Sequence, residues 1–488
     1  MAENLQESEE NLVTSVTNAD LESFINHDPE DIVYKEFEND PNVATDPHFK
    51  WKCMKTVFLL NFFGAFGVGL LSILCVYFDL NFSNLCDSTK WINLPHNIKI
   101  AHLYSKAASD QIYLFWYVIN LLLVFEVSKI QRQVLILANL LAGCVCTIWR
   151  LSTVATDLYG KSSLLGAPQF LIFIVMSIYT TSVVLKERIT TGFWRRLIVT
   201  LNVNNQIIIA FVFYLVHFYV ILPTFIKASI YIRLAMAFFI PIVGYGARIL
   251  CRVCLQHIKH ILHPGRLYIL SAGLHALTVT LYRILQASVQ STWAFIALGL
   301  AHSVVGFIDK ISVLYQRSAL SFVCRKFCFR VYRVKRNPRE MRESADILIL
   351  NLVYELWGVM ITCFTYTLYA VQHSIPLNPK IEKEYTQGPV IRDLMYRIIF
   401  TICVETISST LAVFWVIKKS NFAIIKLWTV KWKLYCFVLA MNAIFPLILA
   451  SKTLVNITEE SFTLFLIDSG RQDLASKLKM CNYTSRPY

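Results

Sequence analysis

The chain has 488 residues, 56% of them hydrophobic and 16% charged, with a mean hydropathy of +0.52. Soluble domains carry about 25% charged residues, and a globule of this size leaves too much surface outside to hide so many apolar side chains. The composition therefore excludes a soluble fold. In a membrane protein the net charge of +14 points to basic loops rather than nucleic-acid binding.

Residues 1–50 hold 13 of the 32 acidic residues against only Lys35 and Lys50. They read as an acidic, disordered cytosolic tail, without the basic leader and apolar run of a signal peptide. A membrane-spanning helix needs about 20 mostly apolar residues. Such runs are predicted near 56–78, 111–128, 133–155, 167–186, 206–226, 229–250, 267–288, 292–315, 346–371, 394–417 and 434–451. No alternating pattern of a β-barrel appears, so the expected fold is all-α, a polytopic transmembrane helix bundle of about eleven spans. Residues 51–315 form a first bundle of about eight helices, 316–344 a basic cytosolic amphipathic loop, 345–455 three further helices and 456–488 an extracytoplasmic tail.

Placing the N-terminus in the cytosol puts the most basic segments inside, as the positive-inside rule asks. These are Lys129/Arg132, Lys186–Arg196, Arg252–Arg266, Arg317–Arg342 and Lys418–Lys433. The glycosylation sequons at Asn81, Asn456 and Asn482 then all fall outside. This arrangement favours the plasma membrane over the endoplasmic reticulum. In the 316–344 loop, Arg325, Lys326, Arg330, Arg333, Lys335 and Arg336 alternate with aromatic and apolar residues. They are expected to contact anionic lipid head groups.

Ionisable groups within spans are costly and face a bundle interior or a cavity. Asn351 and Glu355 lie four residues apart and so share one helix face. Glu405 occupies a similar depth on the next helix. His275 and Arg283 share a face of the 267–288 helix with Gln286, and His302 sits near the centre of its own. An ion pair between Arg283 and one glutamate is expected. These six residues, Glu355, Glu405, Arg283, His302, His275 and Asn351, are the candidate transport or binding site, unless they serve only to fix helix packing. Asp309-Lys310 lies near the cytosolic end of its span, and the run Pro241–Gly246 is the one plausible break inside a helix.

The run CRVCLQHIKHILHPGR, residues 251–266, places Cys251, Cys254, His257, His260 and His263 at every third position. On an α-helix each such step turns about 60°, and the outer two ligands end up roughly 18 Å apart along the axis. One helix cannot close a tetrahedral site with all five, so no metal is expected there. The segment reads as a cytosolic basic collar.

Catalysis needs a constellation, and no H-E-x-x-H, metal–diphosphate, phosphate-loop or acyltransferase cysteine motif is present. No cofactor is expected. Residues 365–373, TYTLYAVQH, resemble the T-Y-five-apolar-Q-F signature of insect-type gustatory receptors through Thr365, Tyr366 and Gln372, with His373 in place of Phe. The resemblance covers nine residues, and two further spans follow where the family has none. It implies a chemosensory ligand receptor. The leading expectation is a channel or transporter for an ion or small solute, with that receptor as the alternative. An endomembrane lipid-modifying enzyme is a third. The bilayer and its anionic head groups are the expected partners, with no nucleic acid.

Overall fold

The computed structural model describes residues 48–70, 96–158, 167–313, 338–374 and 387–443, apart from short stretches within these ranges. All regular elements among them are helical. In chain order they are α1 (Phe49–Leu59, continued by a π segment Leu60–Phe66), α2 (His96–Val124), α3 (Lys129–Ala155), α4 (Ala167–Leu185) and α5 (Phe193–Val203). Helix α6 is Asn205–Val216, prolonged through a π turn His217–Ile221 into Leu222–Lys227. Then follow α7 (Ile230–Gln256), α8 (Ile269–Ala287), α9 (Thr292–Ser312), α10 (Pro338–Ser374), α11 (Gln387–Ser420) and α12 (427–443).

Local chemistry explains several boundaries. Ser128 and Gln131 close a capping box at the start of α3: each side chain bonds the other's backbone N–H, at 3.3 and 3.2 Å. Helix α10 opens on Pro338, whose missing N–H belongs to a group that has no helical partner anyway.

Eight stretches among the described residues are long and apolar enough to cross a membrane. They are Lys106–Val124, Lys129–Ala155, Pro168–Leu185, Asn205–Phe225, Tyr231–Leu255, Trp293–Ser312, Arg342–Thr362 and Met395–Lys419. All eight overlap predicted spans, and the chain is an all-α integral membrane protein. Among the described residues the count is eight, and the expected total of about eleven is not confirmed. Of the other three expected spans, 56–78 and 434–451 run beyond the described residues. The third, 267–288, is α8, whose His275, Arg283, Gln286 and threonines lower its hydropathy.

The reason becomes clear from the packing. Every residue of α8 from Ala272 to Gln286 is buried, as is every residue of α10 from Ala345 to Thr362. These two helices pack on each other at the centre, with α7, α9, α11 and the π segment of α1 around them. Gly358 permits the close approach, since a Cβ there would lie 2.7 Å from Val279 Cγ1. A helix buried on all sides can carry polar groups inward without meeting lipid.

The outer helices are inside out relative to a soluble protein. On α3, Leu137, Leu141 and Ile148 are 59%, 59% and 64% exposed while Asn139 is buried. Buried amides also tie distant parts of the chain together. Asn120 of α2 and Asn442 of α12 exchange side-chain hydrogen bonds at 3.3 and 3.1 Å, and Trp116 Nε1 donates to Asn442 Oδ1 at 3.2 Å. Replacing Asn442 by alanine removes the acceptor that Trp116 Nε1 and Asn120 Nδ2 share. The expected loss is about 1–3 kcal/mol, read as reversible unfolding of the purified protein in mixed micelles. A loss under half of that would mean water reaches the pair.

Candidate functional site

Ionisable side chains from α7 to α11 meet in one buried seam beside the central helix pair. Its midpoint is Arg283 of α8. The guanidinium donates from Nη2 to Glu405 Oε1 of α11 and, at 3.2 Å, to Glu355 Oε2 of α10. Both expected glutamates therefore share one cation. Tyr282 Oη donates to the same Glu355 oxygen. Ser303 of α9 donates to Glu405 Oε1 at 3.0 Å, and Lys310 Nζ lies 3.8 Å from Glu405 Oε2. Each of these ionised groups is 4% exposed or less. Such burial is tolerated only when charges are paired and their hydrogen bonds are met.

Towards one end, Arg283 Nη1 donates to Gln286 Oε1 at 3.0 Å, and His302 Nδ1 lies 3.2 Å from that oxygen. His302 Nε2 is 2.9 Å from the carbonyl oxygen of Ala237 on α7. That carbonyl is available for a specific reason. Residue 241 is the proline inside α7, and a proline has no N–H to return to the carbonyl four residues back. The expected break at Pro241–Gly246 is thus absent: α7 runs unbroken from Ile230 to Gln256. What the proline supplies is a vacated acceptor. A carbonyl only accepts, so Nε2 carries a hydrogen there.

Towards the other end, Lys310 donates to Ser409 Oγ at 3.1 Å, and its neighbour Asp309 faces a pair of arginines. Arg248 Nη1 lies 3.2 Å from Asp309 Oδ2, and Arg252 Nη1 lies 3.8 Å from Oδ1. Arg252 Nη2 donates to Asn351 Oδ1 at 3.3 Å, while Asn351 Nδ2 donates to Asp309 Oδ2 at 3.4 Å. Arg248 Nη1 is also 3.0 Å from His275 Nδ1. The six sequence-selected residues thus fall in one network, Glu355, Glu405, Arg283 and His302 in its first half and His275 and Asn351 in its second.

Arg248, Arg252, Asp309 and Lys310 complete the network and lie outside the six sequence candidates. By sequence Arg252 belongs to the basic collar, because basic residues at helix ends usually reach for water or lipid phosphate. Instead α7 continues to Gln256, and Arg252 is 6% exposed. Asp309 and Asn351 offer it better partners inside. Cys251, the first residue of the ligand-like run, also turns inward, its Sγ donating to Asn205 Oδ1 at 2.9 Å. His257, His260 and His263 lie outside the described residues. So do the cations from Arg325 to Arg336, expected to contact lipid head groups, and the sequons at Asn81, Asn456 and Asn482. The motif at 365–373 falls in the last turns of α10, and α11 and α12 follow it.

Compared with protein-family models, curated proteins and solved structures, the chain matches none. What it does has to be read from the seam itself.

Proposed function

We propose that the protein is a multi-pass channel or transporter for an ion or small solute, with the charged seam as its conducting element. The supporting observation is the seam's continuity. From Arg252 through Asn351 to Asp309, and from Lys310 through Glu405, Arg283 and Gln286 to His302, every step is 3.8 Å or less. The two runs are joined by the peptide bond between Asp309 and Lys310. Packing alone requires far less than this, since neutral amides or hydroxyls fix helix pairs within a membrane. Four cations and three carboxylates in the most enclosed part of the bundle carry a desolvation cost that conduction explains. His302 suits a proton step, because a proton gained at Nδ1 would meet Gln286 Oε1 already in place.

In this reading the N-terminus is cytosolic and the protein sits in the plasma membrane, supported by the distribution of basic segments and sequons. The basic loop from Arg325 to Arg336 then meets anionic lipid. The chemoreceptor reading rests on residues 365–373 alone, and no catalytic motif in the sequence supports an enzymatic reading.

The test is flux in liposomes holding the full chain, with proton-, cation- and chloride-sensitive dyes. Glu355→Gln keeps the shape and removes one charge from the Arg283 cluster. Flux should fall by about tenfold or more, the loss of one charge-assisted contact. Unchanged flux in both Glu355→Gln and Glu405→Gln would remove the seam from the mechanism, and wild-type flux equal to that of protein-free liposomes would end the transport reading.

A further inference from the structure

We propose that His302 is a proton-binding site at mid-membrane and that the proton is the species the seam carries. The second half of that statement rests on the transport reading above; the first half does not.

The imidazole is set between two acceptors. Nε2 donates to the Ala237 carbonyl at 2.9 Å, the carbonyl that Pro241 leaves without a helical donor. Nδ1 lies 3.2 Å from Gln286 Oε1. Two contacts fix which end of that amide is the oxygen. Arg283 Nη1, which can only donate, lies 3.0 Å from it, and Gln286 Nε2 donates to the Phe295 carbonyl at 3.4 Å. A neutral imidazole has one N–H and cannot supply two acceptors. With Nε2 protonated, the lone pair of Nδ1 meets a lone pair of the amide oxygen, and a second proton turns that clash into a hydrogen bond. His275 is set in the opposite way, since Arg248 Nη1, a donor, lies 3.0 Å from its Nδ1 and 3.2 Å from its Nε2. Of these two histidines, only His302 turns both ring nitrogens towards acceptors.

The surroundings suit a proton that binds and leaves. His302 lies ten residues from either end of α9, about 15 Å along the axis, or half the thickness of a hydrocarbon core. Helix α9 packs on α7, α8, α10 and α11. Towards the imidazole, α7 presents the Ala237 carbonyl and α8 presents Arg283 and the Tyr282 ring, whose centroid is 4.9 Å away. Beyond Arg283 stand Glu355 of α10 and Glu405 of α11, with Lys310 on α9 itself. Arg283 repels a second cation, while the two glutamates attract it. Ser303, the next residue after His302, donates to Glu405 Oε1 at 3.0 Å and holds that carboxylate beside the same turn.

A proton also fits the dimensions of the seam. Its side chains touch at 3.8 Å or less, closer than an ion lodged between them allows. Protons pass along chains of histidines and acids without a lumen. In the other half of the seam, the cavity lined by Arg248, Ser271, His275 and Asn351 has a volume of about 10 Å³. That is room for roughly one water, enough to hand on a proton and too little for a hydrated ion.

The experiment has two readouts on the full-length protein. In lipid nanodiscs, nitrogen-15 resonances of the imidazole rings report which ring nitrogens carry hydrogen. The chain has 11 histidines, so the His302 signal is assigned by its loss in His302→Gln. On acidification it should change from the form protonated at Nε2 alone to the form protonated at both nitrogens. Should His302→Gln fail to fold, Gln286→Leu keeps the imidazole, removes the acceptor beside Nδ1, and should suppress the doubly protonated form of that signal. A His302 ring that stays singly protonated at every pH at which the protein remains folded would overturn the proposal. In liposomes with a proton-sensitive dye, His302→Gln should cut proton flux about a hundredfold or more, the lower end of what a positioned proton-transfer group contributes. Undiminished proton flux in that variant, or wild-type flux of potassium or chloride without protons, would overturn the proton as cargo and leave the transport reading in place. A wild type in which His302 gains its second proton but no ion crosses would end the transport reading and leave the proton site standing.

Discussion

Replacing Arg283 by glutamine is expected to destabilise the bundle by about 3–5 kcal/mol, the cost of stripping one partner from a buried ion network. Arg283 donates to both Glu355 and Glu405 and also to Gln286. Without it two carboxylates, 4% and 2% exposed, face each other across α10 and α11 with Lys310 Nζ 3.8 Å from one of them. Glutamine matches part of the reach, but its amide carries no charge to offset either acid. The loss should be reversible by pairing: Arg283→Gln combined with Glu355→Gln removes one acid along with the cation and leaves Glu405 to Lys310. The double variant should be more stable than the single one, since a buried ion network has little net worth over a neutral one. Unfolding of all three proteins by steric trapping in bicelles measures both numbers. A single-variant loss under about 1 kcal/mol, the range of a solvated surface pair, would mean that water fills the seam.

The sequence made the Arg283 cluster visible for an energetic reason. Charged residues inside apolar runs are so costly that Glu355, Glu405 and Arg283 stand out against their surroundings. A spacing of four residues was enough to put Asn351 and Glu355 on one face. The second half of the seam escaped because rules about helix ends are statistical. Arg252 lies two residues past the expected end of its span at 250, where cations normally seek head groups. Nothing in its neighbourhood reveals that Asp309, 57 positions later, and Asn351, 99 positions later, sit beside it.

Pro241 and the Asn120–Asn442 pair follow the same rule. Pro241 suggested a broken helix, yet tertiary packing kept α7 continuous and used the freed Ala237 carbonyl for His302. Asn120 and Asn442 carry no signal in the sequence, because a lone asparagine in a span is ordinary until its partner 322 residues away is known. Spans could be placed because hydropathy is a property of one segment. Partners could not, because pairing is a property of two. The central helix α8 shows the limit between them: it was predicted as a span by its apolar residues, but its burial on every side follows from the neighbours that pack on it.

Asp309→Asn should reveal how the arginine pair is held. Asparagine keeps the shape and the acceptor that Asn351 Nδ2 uses at 3.4 Å. It removes the carboxylate that lies 3.2 Å from Arg248 and 3.8 Å from Arg252. The variant is expected to lose about 3–5 kcal/mol of unfolding free energy, as for any buried pair deprived of one ion. Adding Arg248→Gln in the same background removes a cation along with its acid, and part of the loss should return. Unfolding of both variants in bicelles measures the two numbers. A loss under about 1 kcal/mol, or no recovery in the double variant, would make the arginine pair a solvated one.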